Sequence, residues 1–480
     1  MSTTILSQPK NIFFSPYHSS TFMHSFLTAN MMNKRLKWNT IIMPDYIDGR
    51  FAEQVEMCKL ANIKPLIIDQ EKKHFNLYKK NRQYTYQIKK ITKDVQKKLS
   101  HKCLNGFMKY LNILYDDILF FHYLLVHYKI DMVVLTIDVV AYKSSMLIRA
   151  AKLLNIPSVI MPFTVCFPNS VAENFIVQKS YHYNPLNNDH KLIHDTFPNW
   201  IIHHKGKELF RLNNVAHMLA FEELNLTPEN PWLYHSGYSD IIAAESIFMK
   251  ELLVNEGVSS DKIFITGSVD LDIIYDNKRN VLQSKKMLYQ ELSLPDERPM
   301  ILWSVVPSQF NFRSISEFSN YYEAIGFIIK ALSAFLKKYN IIASIHPRYY
   351  PEKFDLIETT GIKISKRDIR ELIPLCDIYI TSTSATTRWA AALGIPVIDF
   401  DIYHYEYKEH KRDGIMQVQN ASEFVELLNN ITLNQNFYNQ LALLQKNNMG
   451  YWGQLDGLSS SRILSLFETI LSYSISVKKD

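Results

Sequence analysis

Short apolar strands alternate with helical segments along this chain, and this alternation constrains its fold more than any other feature. The run at Asp131–Ile137 (DMVVLTI) is apolar almost throughout, as a parallel strand buried on both faces requires. The helical segment Ser144–Leu154 and a second strand, Ser158–Met161, follow and complete a βαβ unit. The chain is therefore predicted to be an α/β protein.

The alternation of strands and helices occurs twice. It runs through the N-terminal half, stops at the polar, proline-punctuated region around Asn277–Arg298, and restarts at the strand Met300–Val305. Two such halves predict two Rossmann-like domains facing one another across a cleft. We expect an N-terminal domain over residues 1–280, a C-terminal domain over residues 281–455, and a final helix in residues 456–480 that packs back on the N-terminal domain. Ligands of such folds bind at the carboxyl ends of the strands.

Glycine is scarce, with 13 residues in 480, a frequency well below the usual value of about 7%. Neither a GxGxxG nor a GxxxxGK[ST] pattern is present, which argues against the glycine-rich loops of dinucleotide and triphosphate sites. A phosphate would have to be held by helix N-termini, hydroxyls and cationic side chains. The four cysteines are far apart and predict neither a disulfide framework nor a zinc site.

The segment Glu71–Lys102 is strongly basic: it contains eleven Lys or Arg residues and two acidic residues, although the whole chain has a net charge of only +6. Apolar residues recur in it at helical spacing, namely Ile88, Ile91, Val95 and Leu99. The segment is predicted to be a basic amphipathic helix, either with a solvated polar face or at an anionic membrane surface. No nucleic-acid motif accompanies it, so we expect no nucleic-acid partner.

Two polar segments follow predicted strands in the second half. His346-Pro347-Arg348 ends the strand Ile341–Ile345, where the histidine and the arginine can donate to phosphate oxygens and the proline fixes the loop. Ser382-Thr383-Ser384 follows the strand Ile378–Thr381 and precedes a predicted helix, Ala385–Leu393. Hydroxyls and free amides at a helix start can hold an anion. Ordinary capping of the helix by one or two of these hydroxyls is the simpler alternative.

These two segments, followed by Ala391–Asp401 (AALGIPVIDFD), resemble the nucleotide-binding domain of GT-B glycosyltransferases. The pattern is similar to that of bacterial transferases that use CMP-activated sialic acid, Kdo or related nonulosonic acids, and CDP-glycerol-type polyol-phosphate transferases share much of it. The resemblance implies that His346-Pro347 holds the cytidine monophosphate and that the Ser382–Ser384 hydroxyls hold its phosphate. Arg348 is a further candidate phosphate contact because of its guanidinium group.

A second resemblance lies upstream. Leu135–Met161 is similar to a segment of UDP-GlcNAc 2-epimerases, which implies that Asp138 takes the place of an active-site Asp in that family. Glu173-Asn174 falls near the family's Glu-Asn pair, and Ile265–Asp272 (ITGSVDLD), with Gly267, matches its TGN turn. The sequence departs from the family at two places. The segment Trp303–Gln309 lacks the family's histidine, and Trp389 stands where UDP-sugar enzymes carry a ribose-binding Glu, so both departures argue against an epimerase and against UDP.

Transfer of a sugar needs a base for the acceptor hydroxyl and stabilisation of the departing phosphate. The candidate bases are Asp138 and Glu173, although Asp138 can instead cap the next helix and Glu173 can be an ordinary loop carboxylate. His18 and Gly267 are candidate substrate contacts; a single histidine is more often structural. Because CMP carries one phosphate, we expect neither a metal ion nor a cofactor apart from the nucleotide-sugar donor.

The sequence thus predicts a GT-B glycosyltransferase that transfers a sugar from a nucleotide donor, preferably CMP-linked, to a bacterial surface glycan such as capsule or lipopolysaccharide. We expect a cytoplasmic enzyme without a signal peptide or membrane span, held near a glycan or lipid-linked acceptor by residues 71–102. Three alternatives stay open: a CDP-polyol phosphotransferase, a UDP-GlcNAc 2-epimerase-like enzyme, and a catalytically silent glycan-binding scaffold.

Overall fold

The computed structural model of the 480-residue chain describes residues 9–17, 19–44, 49–80, 86–140, 142–164, 168–308, 316–346, 355–405 and 414–477. Contacts divide the chain into two compact units. The first comprises residues 1–245, 250–266 and 460–480, and the second comprises residues 246–249 and 267–459.

The first unit is built on a seven-stranded parallel sheet. Its strands are β1 (Asn11–Ser15), β2 (Asn39–Ile42), β3 (Lys64–Pro65), β4 (Met132–Leu135), β5 (Ser158–Ile160), β8 (Ile241–Ala244) and β9 (Ile263–Ile265), in the order β3-β2-β1-β4-β5-β8-β9. An antiparallel hairpin of β6 (Ile201–His204) and β7 (Lys207–Phe210) lies in the same unit. All four residues of β4 are buried, as expected for a central parallel strand.

The second unit is built on a six-stranded parallel sheet. Its strands are β10 (Met300–Val305), β11 (Asn340–Ile345), β12 (Lys363–Ser365), β13 (Ile378–Thr381), β14 (Val397–Phe400) and β15 (Ile415–Val418), in the order β12-β11-β10-β13-β14-β15. Numbered within the unit, this order is 3-2-1-4-5-6, which is the Rossmann order. The first sheet begins with the same order and adds a seventh strand.

Helices connect the parallel strands. Those before residue 267 are α1 (Ser19–Leu36), α2 (Phe51–Leu60), α3 (Ile68–Lys80), α4 (Lys93–Lys98), α5 (His101–His127), α6 (Lys143–Leu153), α7 (Pro168–Phe175), α8 (Asn188–Thr196), α9 (Val215–Glu223) and α10 (Ile247–Asn255). Those after it are α11 (Val269–Lys278), α12 (Val281–Glu291), α13 (Tyr321–Ser333), α14 (Asp355–Glu358), α15 (Ile369–Leu372), α16 (Thr387–Ala392), α17 (Ala421–Leu433), α18 (Gln435–Asn447), α19 (Met449–Trp452) and α20 (Ser459–Val477).

The division between the units lies before α11, whereas the sequence placed the domain limit at residues 280 and 281. Helices α11 and α12 belong to the second unit, and each has an ion pair with another part of it. Arg370 contacts Asp270 at 2.8 Å, and Lys285 contacts Asp377 at 2.7 Å. Most of α20 is grouped with the first unit, where the Arg462 side chain donates to the Thr266 carbonyl at 3.0 Å.

Several helices end in a left-handed residue that is not glycine. Six such residues follow helices in the described chain, with φ between 49° and 58°: Lys37, Asn62, Lys129, Asn155, Asn225 and Ser293. After five of them, all but Lys37, the amide of the next residue donates a hydrogen bond into the last turn of the helix, as from Ile130 to the Leu125 carbonyl and from Ile156 to the Ala151 carbonyl. These are Schellman-type ends, at which glycine is the usual residue. In this glycine-poor chain, Lys, Asn and Ser therefore occupy helix ends where glycine is usual, although they adopt the left-handed conformation less readily.

The basic segment is not one continuous helix. Residues 86–92 run without helical structure between α3 and α4, and Ile91 is buried. The buried Glu223 carboxylate accepts hydrogen bonds from the successive amides of Lys89, Lys90 and Ile91 and from the Tyr86 hydroxyl. Because these amides bind a carboxylate, they do not form helical hydrogen bonds, and the predicted single amphipathic helix is interrupted here.

Candidate functional site

The candidate site of the second unit lies where its strand order reverses. The chain proceeds from β10 toward β11 on one side and reaches β13 and β14 on the other, so β10 and β13 form a topological switch point. In open parallel sheets, ligands bind outside the carboxyl ends of the strands at such a point. The segments that follow β11 and β13 are those that the sequence singled out.

The Ser382–Ser384 turn follows β13 and has an unusual backbone. Thr383 has φ +49°, a left-handed value that is uncommon for a β-branched residue. Its amide donates to Oδ1 of the buried Asp399 at 2.5 Å. Ser384 Oγ lies 2.7 Å from Thr386 Oγ1, and helix α16 begins only at Thr387. The left-handed residue therefore delays the helix that the sequence placed from Ala385.

A buried tyrosine stands behind this turn. The Tyr379 hydroxyl lies 2.5 Å from Thr386 Oγ1. Burial raises the pKa of Tyr379 to about 12, against the opposing effect of hydrogen bonds with Ser304 and Thr386. The hydroxyl therefore stays neutral at physiological pH and orders Thr386 by hydrogen bonding.

Two hydroxyls beside the turn are buried without a hydrogen-bond partner among the described residues. They are Ser382 Oγ and Thr387 Oγ1, and their residues are 6% and 0% exposed. A buried hydroxyl without a partner costs free energy, so such groups usually have a ligand or an ordered water. Both hydroxyls can donate hydrogen bonds to the oxygens of a bound oxyanion.

His346 follows β11 at the same edge of the sheet. Its side chain is half-buried, and its amide donates to the Val305 carbonyl at 3.1 Å. Strand β10 separates β11 from β13, so His346 and the Ser382–Ser384 turn leave the sheet about 10 Å apart on the usual strand spacing. Pro347 and Arg348 lie outside the described residues.

Asp138 follows β4 at the carboxyl edge of the first sheet and is fully buried. Its Oδ1 accepts hydrogen bonds from the amide of Ser236 at 2.5 Å and from its hydroxyl at 2.9 Å, and its Oδ2 accepts from the Ser239 amide at 3.1 Å. The carboxylate therefore holds the segment before β8. Sequence patterns did not suggest this partner, because Ser236 lies far away along the chain.

Glu173 is a buried residue of α7 rather than a loop residue. Its Oε1 lies 2.9 Å from Nε2 of His204 and also contacts the Lys205 ammonium, at the turn between β6 and β7. This carboxylate is thus surrounded by groups that carry or can take up positive charge.

The first unit has its own switch point, between β1 and β4. The Tyr17 amide donates to Thr21 Oγ1 at 2.8 Å and to Thr136 Oγ1 at 3.1 Å, and the Tyr17 ring packs edge-on against the Tyr142 ring, with centroids 4.6 Å apart. Burial and a hydrogen bond to Tyr142 raise the pKa of Tyr17 well above its usual range. The aromatic pair was not predicted from the sequence; His18, which was, lies outside the described residues.

Gly267 lies at the start of the second unit with φ +78°. Its Cα faces Ser459, and a β-carbon there would lie 2.2 Å from Ser459 Oγ. The following residue, Ser268, caps α11 by accepting the Leu271 amide at 3.3 Å. Its predicted substrate contact stays a prediction.

Neither metal clusters nor membrane-spanning helices are found in the described ranges. No group of three or more His, Cys, Asp or Glu side chains among these residues is placed to hold a metal ion. None of the helices described combines the length and the apolar character that crossing a membrane requires.

Two parallel sheets with Rossmann strand order give this chain a GT-B fold with two Rossmann-like domains, a fold that is also seen in UDP-GlcNAc 2-epimerase structures. This confirms the α/β fold predicted from the sequence. A scan of protein-family models gives no match, and a search of curated protein sequences gives none either.

Several solved structures, two of them UDP-GlcNAc 2-epimerases, share this fold at low sequence identity. UDP-GlcNAc 2-epimerase from Neisseria meningitidis, bound to UDP-GlcNAc, is 13% identical with a TM-score of 0.51, covering 96% of this chain and all of that one. A second UDP-N-acetylglucosamine 2-epimerase is 12% identical with a TM-score of 0.50, covering 97% of each chain. The S. aureus MnaA–UDP structure is 13% identical with a TM-score of 0.50, covering 96% and 97%.

Proposed function

We propose that the chain is a glycosyltransferase that uses a nucleotide-activated sugar, with a CMP-linked nonulosonic acid as the preferred donor. The acceptor is a bacterial surface glycan, such as capsule or lipopolysaccharide, or its lipid-linked precursor. The observation that carries the proposal is the unpartnered Ser382 hydroxyl in a turn at the switch point of the second sheet.

Phosphate binding by the second unit has support from two strand ends. The Ser382–Ser384 turn supplies hydroxyls, and His346 supplies an imidazole at the same edge of the sheet. Arg348 completes the proposed set by a guanidinium fork suited to phosphate oxygens. Hydroxyls, imidazole and guanidinium can neutralise the single phosphate of a CMP leaving group without a metal ion.

In the proposed reaction, the acceptor hydroxyl attacks the anomeric carbon of the donor. The bond between that carbon and the phosphate oxygen breaks, the acceptor proton passes to a carboxylate, and CMP leaves with the electron pair. Asp138 and Glu173 are the proposed bases. The Asp138 carboxylate accepts three hydrogen bonds, and the Glu173 carboxylate contacts His204 and Lys205.

Nucleotide binding tests the proposal first. Thermal shifts and calorimetry with CMP, CDP and UDP are expected to show stabilisation, strongest with the cytidine nucleotides. The His346→Ala variant is expected to lose most of this affinity without a change in melting temperature in the absence of nucleotide. Stabilisation by UDP alone would contradict the CMP preference, and the absence of binding to any of the three would overturn the nucleotide function.

Product analysis separates glycosyl transfer from its nearest rival. A transfer from a CMP-linked sugar releases CMP and leaves no phosphate in the new linkage, whereas a CDP-polyol phosphotransferase leaves a phosphate in its product. Mass spectrometry of acceptor glycans treated with each donor class distinguishes the two. Nucleotide binding without turnover on any acceptor extract would instead favour a silent scaffold.

A UDP-GlcNAc 2-epimerase-like activity is the second candidate. It is favoured by the fold shared with the N. meningitidis enzyme, whose structure holds UDP-GlcNAc. Against it stands Trp303 in β10, in the segment that lacks the epimerase histidine, and Trp389 in α16. Incubation with UDP-GlcNAc and NMR of the recovered sugar decides, because only an epimerase changes the configuration at carbon 2.

We also propose that the basic segment holds the enzyme near a membrane-bound acceptor. Its outward lysines support this, since Lys73, Lys89, Lys93 and Lys98 are exposed. Juxtamembrane basic residues each contribute about 1 kcal/mol to binding at an anionic surface. Cosedimentation with phosphatidylglycerol vesicles is expected at low salt and not with phosphatidylcholine. Retention of binding after Lys89→Glu, Lys93→Glu and Lys98→Glu together would contradict the assignment.

A further inference from the structure

We propose that Asp399 is a positioning residue that holds the Ser382–Ser384 turn in its phosphate-binding conformation. The inference rests on the proposed nucleotide-binding function of that turn and adds to it a residue that touches no ligand. Asp399 lies within the apolar strand β14, where a carboxylate has no place in an ordinary core.

The register of the sheet places Asp399 beside the turn. Thr381, the last residue of β13, pairs with Asp399, which in turn pairs with Gln417 of β15. The Asp399 carboxylate is fully buried. Its Oδ1 accepts the Thr383 amide at 2.5 Å, and its Oδ2 accepts Nε2 of Gln417 at 3.0 Å. A hydrogen bond to a buried, charged acceptor is among the strongest that a protein forms.

The turn needs such a partner because of its backbone. At φ +49°, Thr383 occupies a region that is sterically unfavourable for a β-branched residue, and such conformations persist only where surrounding contacts maintain them. Without the carboxylate, Thr383 is free to relax to a negative φ. That rotation redirects the hydroxyls of Ser382 and Ser384 on either side.

The same hydrogen bond excludes the Thr383 amide from phosphate binding. An amide that donates to Asp399 is not available to a ligand, so phosphate contacts from the turn come from its hydroxyls. Asp399 therefore acts on the ligand through the turn.

Asp401 offers a matched control. It directly follows β14 and is fully buried. Its carboxylate accepts hydrogen bonds from the Tyr405 amide at 3.0 Å and from the Gln419 side chain at 3.2 Å. It differs from Asp399 in the loop that it holds, since its amide partner lies after β14 and not in the hydroxyl turn.

The first experiment compares nucleotide affinity by calorimetry in full-length variants, with CMP, CDP and UDP as probes. Asp399→Ala is expected to bind the preferred nucleotide at least about tenfold more weakly, a loss equal to about 1.4 kcal/mol. Asp399→Asn is expected to stay within about threefold of the wild type, because its amide oxygen can still accept from Thr383. The Gln417 side-chain amide can then rotate so that its oxygen, which has no partner among the described residues, accepts a hydrogen bond from the new asparagine amide group. Asp401→Ala is also expected within about threefold.

The second experiment needs no ligand. Hydrogen exchange followed by mass spectrometry is expected to be at least about tenfold faster at the Thr383 amide in Asp399→Ala, and close to wild type in Asp399→Asn. If the wild type binds none of the three nucleotides, the nucleotide function fails, while this exchange measurement still tests whether Asp399 holds the turn.

Three results would overturn the proposal. They are unchanged nucleotide affinity in a folded Asp399→Ala variant, equal losses in the alanine and asparagine variants, and unchanged exchange at Thr383. If Asp399→Ala does not fold, Asp399→Glu replaces it, because the longer side chain keeps the charge and displaces the acceptor. Wild-type affinity in Asp399→Glu then counts against a positioning role.

Discussion

Gly267 lies so close to Ser459 that a β-carbon on the glycine would be 2.2 Å from the serine Oγ and 2.7 Å from its Cβ. The glycine also has φ +78°, so both its backbone and its surroundings exclude a side chain. The sequence predicted a turn at Gly267, and close packing against Ser459 explains why this turn requires a glycine.

Gly267→Ala is expected to lower the free energy of unfolding by about 2 to 4 kcal/mol, because left-handed strain and overpacking add. Urea denaturation followed by circular dichroism measures the change. Gly206→Ala is the control: it has φ +73° and nothing within 4 Å of its β-carbon position, so only the conformational cost of about 1 kcal/mol is expected. Equal losses in the two variants would show that the Ser459 contact adds nothing.

Ser382→Ala is expected to separate binding from stability. The buried Ser382 hydroxyl has no partner in the described chain, so its removal is expected to change the free energy of unfolding by less than about 0.5 kcal/mol or to raise it. Affinity for the bound nucleotide is expected to fall about tenfold. Calorimetry and thermal denaturation measure the two effects.

Ser384→Ala serves as the comparison for that substitution. Ser384 Oγ pairs with Thr386 Oγ1, so this variant is expected to lose about 1 kcal/mol of stability even without ligand. If Ser382→Ala lowers stability and leaves nucleotide affinity unchanged, the Ser382 hydroxyl supports the turn and does not bind the ligand, contrary to the prediction.

His217 is expected to make stability depend on pH. Its ring stacks on Tyr110 with centroids 4.4 Å apart, and burial lowers its pKa to about 4 from the ordinary 6.5. Between these values the unfolded chain binds more protons, so stability falls as the pH falls from 6.5 to 4, by about 1 to 3 kcal/mol from this residue. Denaturation across this range should show a smaller slope in His217→Phe. His74→Asn, at an exposed residue of α3, is expected to keep the wild-type slope.

Glu223 is expected to anchor the segment between α3 and α4. Glu223→Ala leaves the amides of Lys89, Lys90 and Ile91 without their acceptor, and a loss of about 3 kcal/mol is expected. Limited proteolysis should then cut within residues 86–92. Asp94→Asn, at an exposed acidic residue of α4, is the control, and equal cleavage in both variants would argue against the anchor.

Lys129→Gly is expected to stabilise the protein by about 1 kcal/mol, because glycine adopts the left-handed end of α5 without a steric cost. Lys109→Gly, at an exposed position within the same helix, is expected to destabilise by a similar amount. Thermal denaturation of both variants checks the opposite signs. Destabilisation by Lys129→Gly would mean that the lysine side chain makes a stabilising contact.

The sheets were predictable because buried parallel strands are continuous apolar runs. The predicted strands Met300–Val305 and Ile378–Thr381 have the observed bounds. The β6–β7 hairpin was not predicted. Four of its eight strand residues are polar, so it lacks a continuous apolar run, although only His203 and Lys207 are exposed. Its signal was the Lys205-Gly206 pair, where both residues have positive φ, although Asn-Gly is the usual sequence of such a turn.

The candidate site was only partly predictable. Ser382–Ser384 and His346 were correctly predicted at strand ends, because each directly follows an apolar run in the sequence and the end of such a run marks the end of the strand. The partners of these residues depend on strand order instead. Asp399 follows Thr383 by a whole helix and strand, and Ser236 lies still further from Asp138, so neither hydrogen bond leaves a local pattern. A carboxylate inside the apolar run VIDF was the one signal of Asp399.

The helix ends that lack glycine have a consequence for how this protein tolerates change. Each of those positions admits a single substitution that raises stability by about 0.5 to 1 kcal/mol, and effects at well-separated sites add. Combining several of them would give a robust background in which costly replacements, such as Asp399→Ala, remain folded and measurable. Stabilising substitutions at the helix ends can thus offset the cost of destabilising substitutions at the carboxyl ends of the strands, so that residues there can change specificity without unfolding the protein.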